Sequence, residues 1–133
     1  MSRLLLDTTF LVDADRAKAS LDDLIADDDE VAIAAITVAE LLVGVLLADE
    51  AHRGDRQSFV DEVAESIPIV EYDTTVAAAH AELLVAVRRQ GRPRGAHDLI
   101  IAATAKATQR EVVTADTSAY ENLPDVRVRS HRS

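Results

Sequence analysis

The chain has 133 residues, with 24 acidic and 14 basic side chains and a formal net charge of −10. A chain of this length is most simply one domain, and it can bury roughly two-thirds of its unfolded surface without disulfides or metals. The acidic balance disfavours general binding to nucleic acid, because such binding depends on contacts between positive side chains and phosphates. The absence of cysteine excludes a disulfide framework and thiolate chemistry, and it fits a cytosolic protein.

Two apolar segments bear on location. The run Leu4–Leu6 is too short for a signal peptide, because Asp7 interrupts it. Val31–Ala48 approaches the ~20 apolar residues of a membrane span. Glu40 near its centre and a predicted break at Ala35–Thr37 argue against that interpretation. We therefore expect a cytoplasmic protein that does not associate with membranes.

The first part of the chain pairs a short apolar run with helical patterns. Leu4–Leu6 stops abruptly at Asp7, and an apolar run of that length is predicted to be a buried strand. The hydroxyl of Thr8 or Thr9 is suited to cap a short helix after it, because it can accept from free backbone N–H groups. A narrow apolar stripe predicts a second helix over Ala17–Asp28.

The middle of the chain contains an unusually apolar helical pattern. After a predicted buried strand at Val31–Ala34, a helix is predicted over Thr37–Asp49. Apolar residues cover nearly all of its sides, which indicates either a deeply buried core helix or a helix shared with a partner. Complete burial is difficult in a chain this small, so we favour the partner interface. A more polar helix over His52–Ser66 follows.

The second half continues to alternate strands and helices. The predicted elements are a strand at Pro68–Tyr72, a helix from Asp73 or Thr74 to Gln90, a loop at Gly91–Gly95, a helix at Ala96–Thr108, and strands at Val112–Thr114 and Val126–Val128. In the helix that ends at Gln90, the side chains expected to point inward are Val76, His80, Leu83, Leu84 and Val87. This alternation implies an α/β fold with a mostly parallel central sheet of four to five strands, flanked by helices. We expect one domain over residues 1–130 and a short polar tail at residues 131–133.

Four acidic residues converge on one edge of this predicted sheet. In such a fold the helices run antiparallel to the strands, so the N-termini of helices lie at the same edge as the carboxyl ends of strands. Asp7 ends the first strand, and Asp116 lies just past the strand at Val112–Thr114. Glu40 and Asp98 fall in the first turns of two predicted helices. One topological rule therefore gathers four carboxylates that are far apart in the sequence.

Each acid also has a simpler structural interpretation. Thr37 and Glu40 have the spacing of a capping box, so Glu40 alone is better explained by helix capping. Asp98 would be favourable at the N-terminus of its helix, and Asp116 would suit an Asx-turn. Asp7 is the hardest to explain in this way, because a charge at the end of a buried strand is costly unless something pairs with it.

Taken together, the four acids point to a divalent cation. Carboxylates in one pocket repel each other unless cations are present, and Mg²⁺ and Mn²⁺ bind carboxylate oxygens readily. The hydroxyls of Thr8 and Thr114 are placed to orient these acids from behind. Zinc is less suitable, because the four histidines have no ligand-like spacing.

With these residues in place, the chain resembles the PIN-domain ribonucleases, specifically the VapC-type toxins of bacterial toxin–antitoxin pairs. The matching segments, in order, are Leu5–Thr9, Thr37–Leu41, Asp98–Ala103 and Val113–Asp116, and the similarity extends over roughly Leu4 to Val128. The acidic quartet of that family maps onto Asp7, Glu40, Asp98 and Asp116, and its hydroxyls map onto Thr8 and Thr114. The second position after Asp7 is often Ser or Asn in the family, whereas here it is Thr9.

The resemblance implies cleavage within RNA chains that depends on Mg²⁺ or Mn²⁺, by a toxin that is typically dimeric and is silenced by a cognate VapB-type antitoxin. Under that hypothesis Asp7 is the central metal ligand, Asp98 and Asp116 complete the metal shell, and Glu40 binds metal or positions a water. Arg92 and Arg94 are candidate RNA contacts, with a merely solvated loop as the competing interpretation.

Two other classes of protein remain open. A phospho-receiver-like module also places acids at the carboxyl edge of a parallel sheet, but it would need an acidic pair after the first strand and a Lys after Asp116. Small-molecule phosphatases built on a comparable sheet usually carry a second Asp shortly after the first, where this chain has Thr9. A catalytically silent α/β interaction domain would use the acidic pocket only to receive Arg side chains.

Overall fold

The computed structural model describes residues 2–19 and 26–131, which form a parallel sheet with helices on both faces. Within these residues the strands are Arg3–Leu6 (β1), Glu30–Ala34 (β2), Ile69–Val70 (β3), Glu111–Thr114 (β4) and Val128–Ser130 (β5). The helices are Thr8–Arg16 (α1), Ala35–Leu47 (α2), Glu50–Ser66 (α3), Thr74–Gln90 (α4) and Ala96–Thr108 (α5), with a short 3-10 helix at Thr117–Tyr120. The predicted α/β class and the parallel sheet are confirmed.

The strand order is β3-β2-β1-β4-β5, and all neighbouring strands are parallel. The chain leaves β1 toward one side of the sheet and later returns to the other side, so the direction of winding changes between β1 and β4. In open α/β sheets, ligands bind in the crevice at the carboxyl ends of the strands at such a point. Phospho-receiver modules have the order 2-1-3-4-5 instead, so the topology disfavours that alternative.

Alternation along β1 divides the core between the two faces of the sheet. Leu5 packs with residues of α4 and α5 on one face, including Leu83 and Ile101. Leu4 and Leu6 pack on the opposite face, against residues of α1, α2 and α3. Because β1 is buried on both faces, its apolar run is continuous and ends only where the chain reaches Asp7 at the sheet edge.

The boundaries of α2 differ from those expected. The helix begins at Ala35, immediately after β2, and ends at Leu47, so it is shifted by two residues from the predicted Thr37–Asp49. Thr37 therefore lies inside the helix and is fully buried, and Glu40 lies in its second turn rather than its first. The capping-box interpretation of Thr37 and Glu40 is wrong, because Ala34 holds the capping position and the Glu40 carboxylate accepts from Thr8 instead.

The strands near the sheet edges are also displaced. The predicted strand at Pro68–Tyr72 shortens to Ile69–Val70. The predicted strand at Val126–Val128 moves to Val128–Ser130, because Asn122 and Asp125 adopt left-handed conformations that extend the preceding turn. His131 was assigned to the tail, yet its backbone N–H donates to the Thr114 carbonyl at 3.2 Å. The other two tail residues lie outside the described part of the chain.

The remaining predicted helices fit the structure in most respects. The helices ending at Ser66, Gln90 and Thr108 end as expected, and α5 also begins as expected. α1 begins at Thr8, with Asp7 rather than a threonine in the capping position. Half of the helix predicted over Ala17–Asp28 falls on residues outside the described ranges, and its described ends are turn and coil.

Some apolar side chains of α4 and α2 are exposed. Leu84 was expected to point inward, but it is exposed, whereas Val76 and Leu83 are buried as expected. In α2, Leu41 and Val45 are buried, while Leu42, Val43, Leu46 and Leu47 are exposed. Among the described residues, no helix is both long and apolar enough to cross a membrane.

Candidate active site

Asp7 lies at the centre of the carboxyl edge of the sheet and is only 3% exposed. Its backbone N–H donates to the Val113 carbonyl at 2.9 Å, and its own carbonyl accepts from Phe10 at the start of α1. The main chain thus fixes Asp7 between β1, β4 and the first turn of α1. A carboxylate this deeply buried needs partners that compensate for its lost hydration.

Hydroxyl groups supply those partners. Asp7 Oδ2 accepts from Thr114 Oγ1 at 2.7 Å and from Thr9 Oγ1 at 3.2 Å. Thr114 Oγ1 also accepts from the backbone N–H of Asp116 at 3.0 Å, and Thr9 Oγ1 accepts from that of Ala115. The predicted contact of Thr114 behind Asp7 is present, and the same hydroxyls tie Asp7 to the segment that leads to Asp116.

Asp116 is exposed at the start of the 3-10 helix, where its Oδ1 accepts from Ser118 Oγ at 2.5 Å. Its side chain makes no capping hydrogen bond to the backbone of that helix. It therefore presents a solvent-accessible carboxylate beside the buried one of Asp7.

Glu40 reaches the site from α2. Its Oε1 accepts from Thr8 Oγ1 at 2.8 Å, and its Oε2 lies 3.4 Å from His97 Nδ1. Thr8 Oγ1 also lies 3.2 Å from the buried hydroxyl of Thr37. The predicted contact of Thr8 is thus to Glu40, whereas Thr114 contacts Asp7. His97 is exposed, and it directly precedes Asp98 in the sequence.

Asp98 lies in the first turn of α5, after Gly95 at the capping position. A Cβ added at Gly95 would lie 2.8 Å from Asp98 Oδ2, so the glycine leaves the space that this carboxylate occupies. Burial raises the pKa of Asp98, and the charges of Asp7, Glu40 and Asp116 raise it further, while His97 opposes them weakly. A helix N-terminus alone would favour the charged form, so burial and the three acids outweigh it.

The four acids are therefore electrostatic neighbours at one edge of the sheet. They come from four separate segments, which are the ends of β1 and β4 and the helices α2 and α5. In residues 2–19 and 26–131, no group of three or more His, Cys, Asp or Glu side chains is arranged so that it could hold a metal ion as it stands. The quartet supplies the oxygen donors that Mg²⁺ and Mn²⁺ prefer, and its mutual repulsion is what a cation would relieve.

The two arginines of the loop before α5 differ in their exposure and in their contacts. Arg94 is half-buried, and its guanidinium donates to the carbonyls of Ala119 at 3.3 Å and Glu121 at 2.5 Å. Arg92 is exposed, with Nη2 at 3.9 Å from Glu121 Oε2. The solvated-loop interpretation is thus wrong for Arg94, whose guanidinium is committed to the main chain.

Sequence reasoning missed two features of this edge. Thr9 was considered as a helix cap and as a departure from the family pattern, yet its hydroxyl donates to Asp7. Its position two residues after Asp7 was the available signal. Tyr120 was not singled out, although its side chain is fully buried and its pKa is raised by burial, by Asp7 and by Asp98. Nothing in the sequence distinguishes it from an ordinary core aromatic residue.

Comparisons with known proteins agree with this fold. Residues 4–123 match the PIN domain family. The chain is 35% identical to "Toxin FitB" of Neisseria gonorrhoeae over 130 residues, covering 88% of this chain and 90% of that protein. It is 27% identical to "Ribonuclease VapC" of Rickettsia bellii over 126 residues, covering 94% and 93% of the two chains.

Among solved structures, the toxin–antitoxin complex VapBC-5 from Mycobacterium tuberculosis contains a similar chain. The TM-score is 0.78 with 30% identity, and the match covers 96% of this chain and 98% of that one. The match to the family extends over most of the sequence and includes all four acids of the quartet. The chain belongs to the PIN-domain family.

Proposed function

We propose that this protein is an endoribonuclease dependent on Mg²⁺ or Mn²⁺ that acts as the toxin of a toxin–antitoxin pair. The observation that carries the proposal is the convergence of Asp7, Glu40, Asp98 and Asp116, in which burial and the charges of the other three acids raise the pKa of Asp98. The names of the ribonuclease and toxin relatives support the same activity.

The quartet fits a divalent cation through the chemistry of its donors, which are all carboxylate oxygens. Asp7, Asp98 and Asp116 are the proposed ligands, with the buried Asp7 at the centre. When bound, such a cation supplies an activated water and charge neutralisation for phosphodiester hydrolysis. Thr114 and Thr9 hold Asp7 in place, and Thr8 and His97 hold Glu40, which we assign to binding the cation or orienting the water.

RNA binding in an acidic protein needs local positive charge. Arg92 is exposed on the loop before α5 and remains a proposed contact to the RNA backbone. Arg94 is assigned a structural role instead, because the terminal nitrogens of its guanidinium donate to the Ala119 and Glu121 carbonyls.

The exposed apolar residues of α2 support protein partners. Leu46 and Leu47 are 74% and 82% exposed, and Leu42 and Val43 extend the same surface. A contiguous apolar surface of this kind is typical of an interface. We propose a second copy of the chain as its occupant, in addition to a VapB-type antitoxin as the regulatory partner. A Leu46→Asp variant should shift the molecular mass measured by light scattering toward the monomer, with Ala81→Asp on α4 as the control.

A cleavage assay on RNA with Mn²⁺ tests the activity. Asp7→Asn and Asp98→Asn each remove one charge without changing side-chain shape. Each variant should weaken the stabilisation of transition-state charge by several kcal/mol, which should slow cleavage by ~10²- to 10³-fold. Asp61→Asn, an exposed carboxylate on α3, is the matched control and should cleave like the parent. Equal cleavage by the parent and both site variants would exclude this site as the nuclease centre and favour the catalytically silent alternative.

A further inference from the structure

Tyr120 is an unusual residue at the acidic edge of the sheet. It ends the 3-10 helix, and its side chain is 1% exposed. Its hydroxyl oxygen is completely buried and forms no well-aligned hydrogen bond with any described group. Buried tyrosine hydroxyls usually find a partner, so an unpartnered one calls for a functional explanation.

The surroundings of the hydroxyl identify what it faces. After burial, the charges of Asp7 and Asp98 are the largest causes of the raised Tyr120 pKa, and Glu40 contributes further. The hydroxyl therefore keeps its proton and lies within reach of the Asp7 carboxylate. The ring packs into the core on the side of α4 and α5, so the polar end alone belongs to the site.

Arg94 holds the main chain on both sides of Tyr120. Its guanidinium donates to the carbonyls of the residues immediately before and after Tyr120. Gln90 Nε2 adds a bond to the Asn122 carbonyl at 2.7 Å. Arg94 also directly precedes Gly95, where the segment carrying Asp98 begins. The 3-10 helix and the start of α5 are thereby joined as one unit around the carboxylates.

We propose that Tyr120 is a positioning residue for Asp7, donating a third hydroxyl hydrogen bond that holds this carboxylate in the orientation in which it binds a divalent cation. Thr9 and Thr114 supply the other two donors. A carboxylate accepts about four hydrogen bonds, so three hydroxyls still leave room for a cation. This inference rests on the proposed function, because it concerns the same cation site.

Tyr120→Phe tests the inference, since it keeps the ring in the core and removes only the hydroxyl. Melting temperatures are measured over a series of MnCl₂ concentrations, which gives an apparent affinity without any cleavage assay. We expect the affinity for Mn²⁺ to fall by ~10-fold, as for other residues that orient metal ligands. Without Mn²⁺ the variant should melt slightly below the parent, because the buried carboxylate of Asp7 loses one hydroxyl donor.

Tyr72→Phe is the matched control. Tyr72 is exposed, and its hydroxyl lies 2.8 Å from His80 Nδ1, so its loss should leave the Mn²⁺ affinity unchanged. If Tyr120→Phe binds Mn²⁺ as tightly as the parent, the inference is overturned while the proposed function stands. If Mn²⁺ does not shift the melting temperature of the parent itself, both the proposed cation site and the proposed role of Tyr120 are contradicted.

Discussion

The two edges of the sheet differ in whether their charged side chains are paired. At the amino edge, Arg3 pairs with Glu30 at 2.6 Å and also donates to the Thr108 carbonyl. Arg110 donates to the carbonyls of Leu4 and Glu30. At the carboxyl edge, four carboxylates face each other, and His97 is the basic side chain that approaches them among the described residues. Compensated charge at one edge stabilises the fold, whereas uncompensated charge at the other indicates a site for a cation.

The largest expected effect on folding comes from removing a charge at the amino edge. Arg110→Met deletes the bonds to two backbone carbonyls, so the free energy of unfolding should fall by ~1–3 kcal/mol. The affinity for Mn²⁺ should not change. Both quantities follow from denaturant and thermal unfolding with and without MnCl₂.

The corresponding variant at the carboxyl edge is Asp98→Asn. It should raise the free energy of unfolding without Mn²⁺, because it removes a partly buried charge that three acids repel. It should also weaken the binding of Mn²⁺. If both variants destabilise the protein equally, the contrast between the two edges is wrong.

A smaller effect is expected from Gly95→Ala. The added methyl group would lie 2.8 Å from Asp98 Oδ2, so the carboxylate must leave its present position. A side chain forced from its preferred rotamer costs ~0.5–1.5 kcal/mol, which corresponds to a ~2- to 10-fold loss of Mn²⁺ affinity. The affinity is measured by calorimetric titration of MnCl₂ into each variant.

Gly54→Ala in α3 is the control, because a Cβ there meets nothing within 4 Å. It should raise the free energy of unfolding by ~0.5–1 kcal/mol and leave the affinity for Mn²⁺ unchanged. An unaltered affinity in Gly95→Ala would show that the carboxylate of Asp98 does not depend on that space.

The smallest expected effect is a dependence of stability on pH. The folded protein raises the pKa of Asp98 above its ordinary value of 3.8, so folding favours the protonated form. The stabilisation is fully present below that value and is lost as the pH rises through the raised pKa. Relative to Asp98→Asn, the parent should therefore lose melting temperature between acid and neutral pH when no divalent cation is present. A constant difference between the two proteins would contradict the raised pKa.

The position of the acids could be predicted from the sequence because one rule of topology governs it. Asp7 and Asp116 directly follow strands, and the carboxyl ends of parallel strands share an edge. Asp98 was placed correctly in the first turn of α5, because Gly91–Gly95 marks the start of that helix clearly. These elements are long or well bounded, so local patterns identify them.

The features that the sequence did not reveal depend on tertiary contacts. The shift of α2 arises because β2 runs directly into the helix without a loop to mark its start. The roles of Arg94 and Tyr120 depend on which carbonyls and carboxylates they meet across the fold, and no local pattern encodes those contacts. Packing therefore decides the surroundings of the site, even where topology decides its location.

The claim that connects the fold to the activity is that the carboxylates at the sheet edge bind a divalent cation. Thermal unfolding of the parent, Asp7→Asn and Asp98→Asn with and without Mn²⁺ tests it directly. At about 100 times the dissociation constant, Mn²⁺ should stabilise the parent by ~2.7 kcal/mol and should leave both variants almost unaffected. A parent protein whose melting temperature does not respond to Mn²⁺, or variants that respond as strongly as the parent, would contradict it.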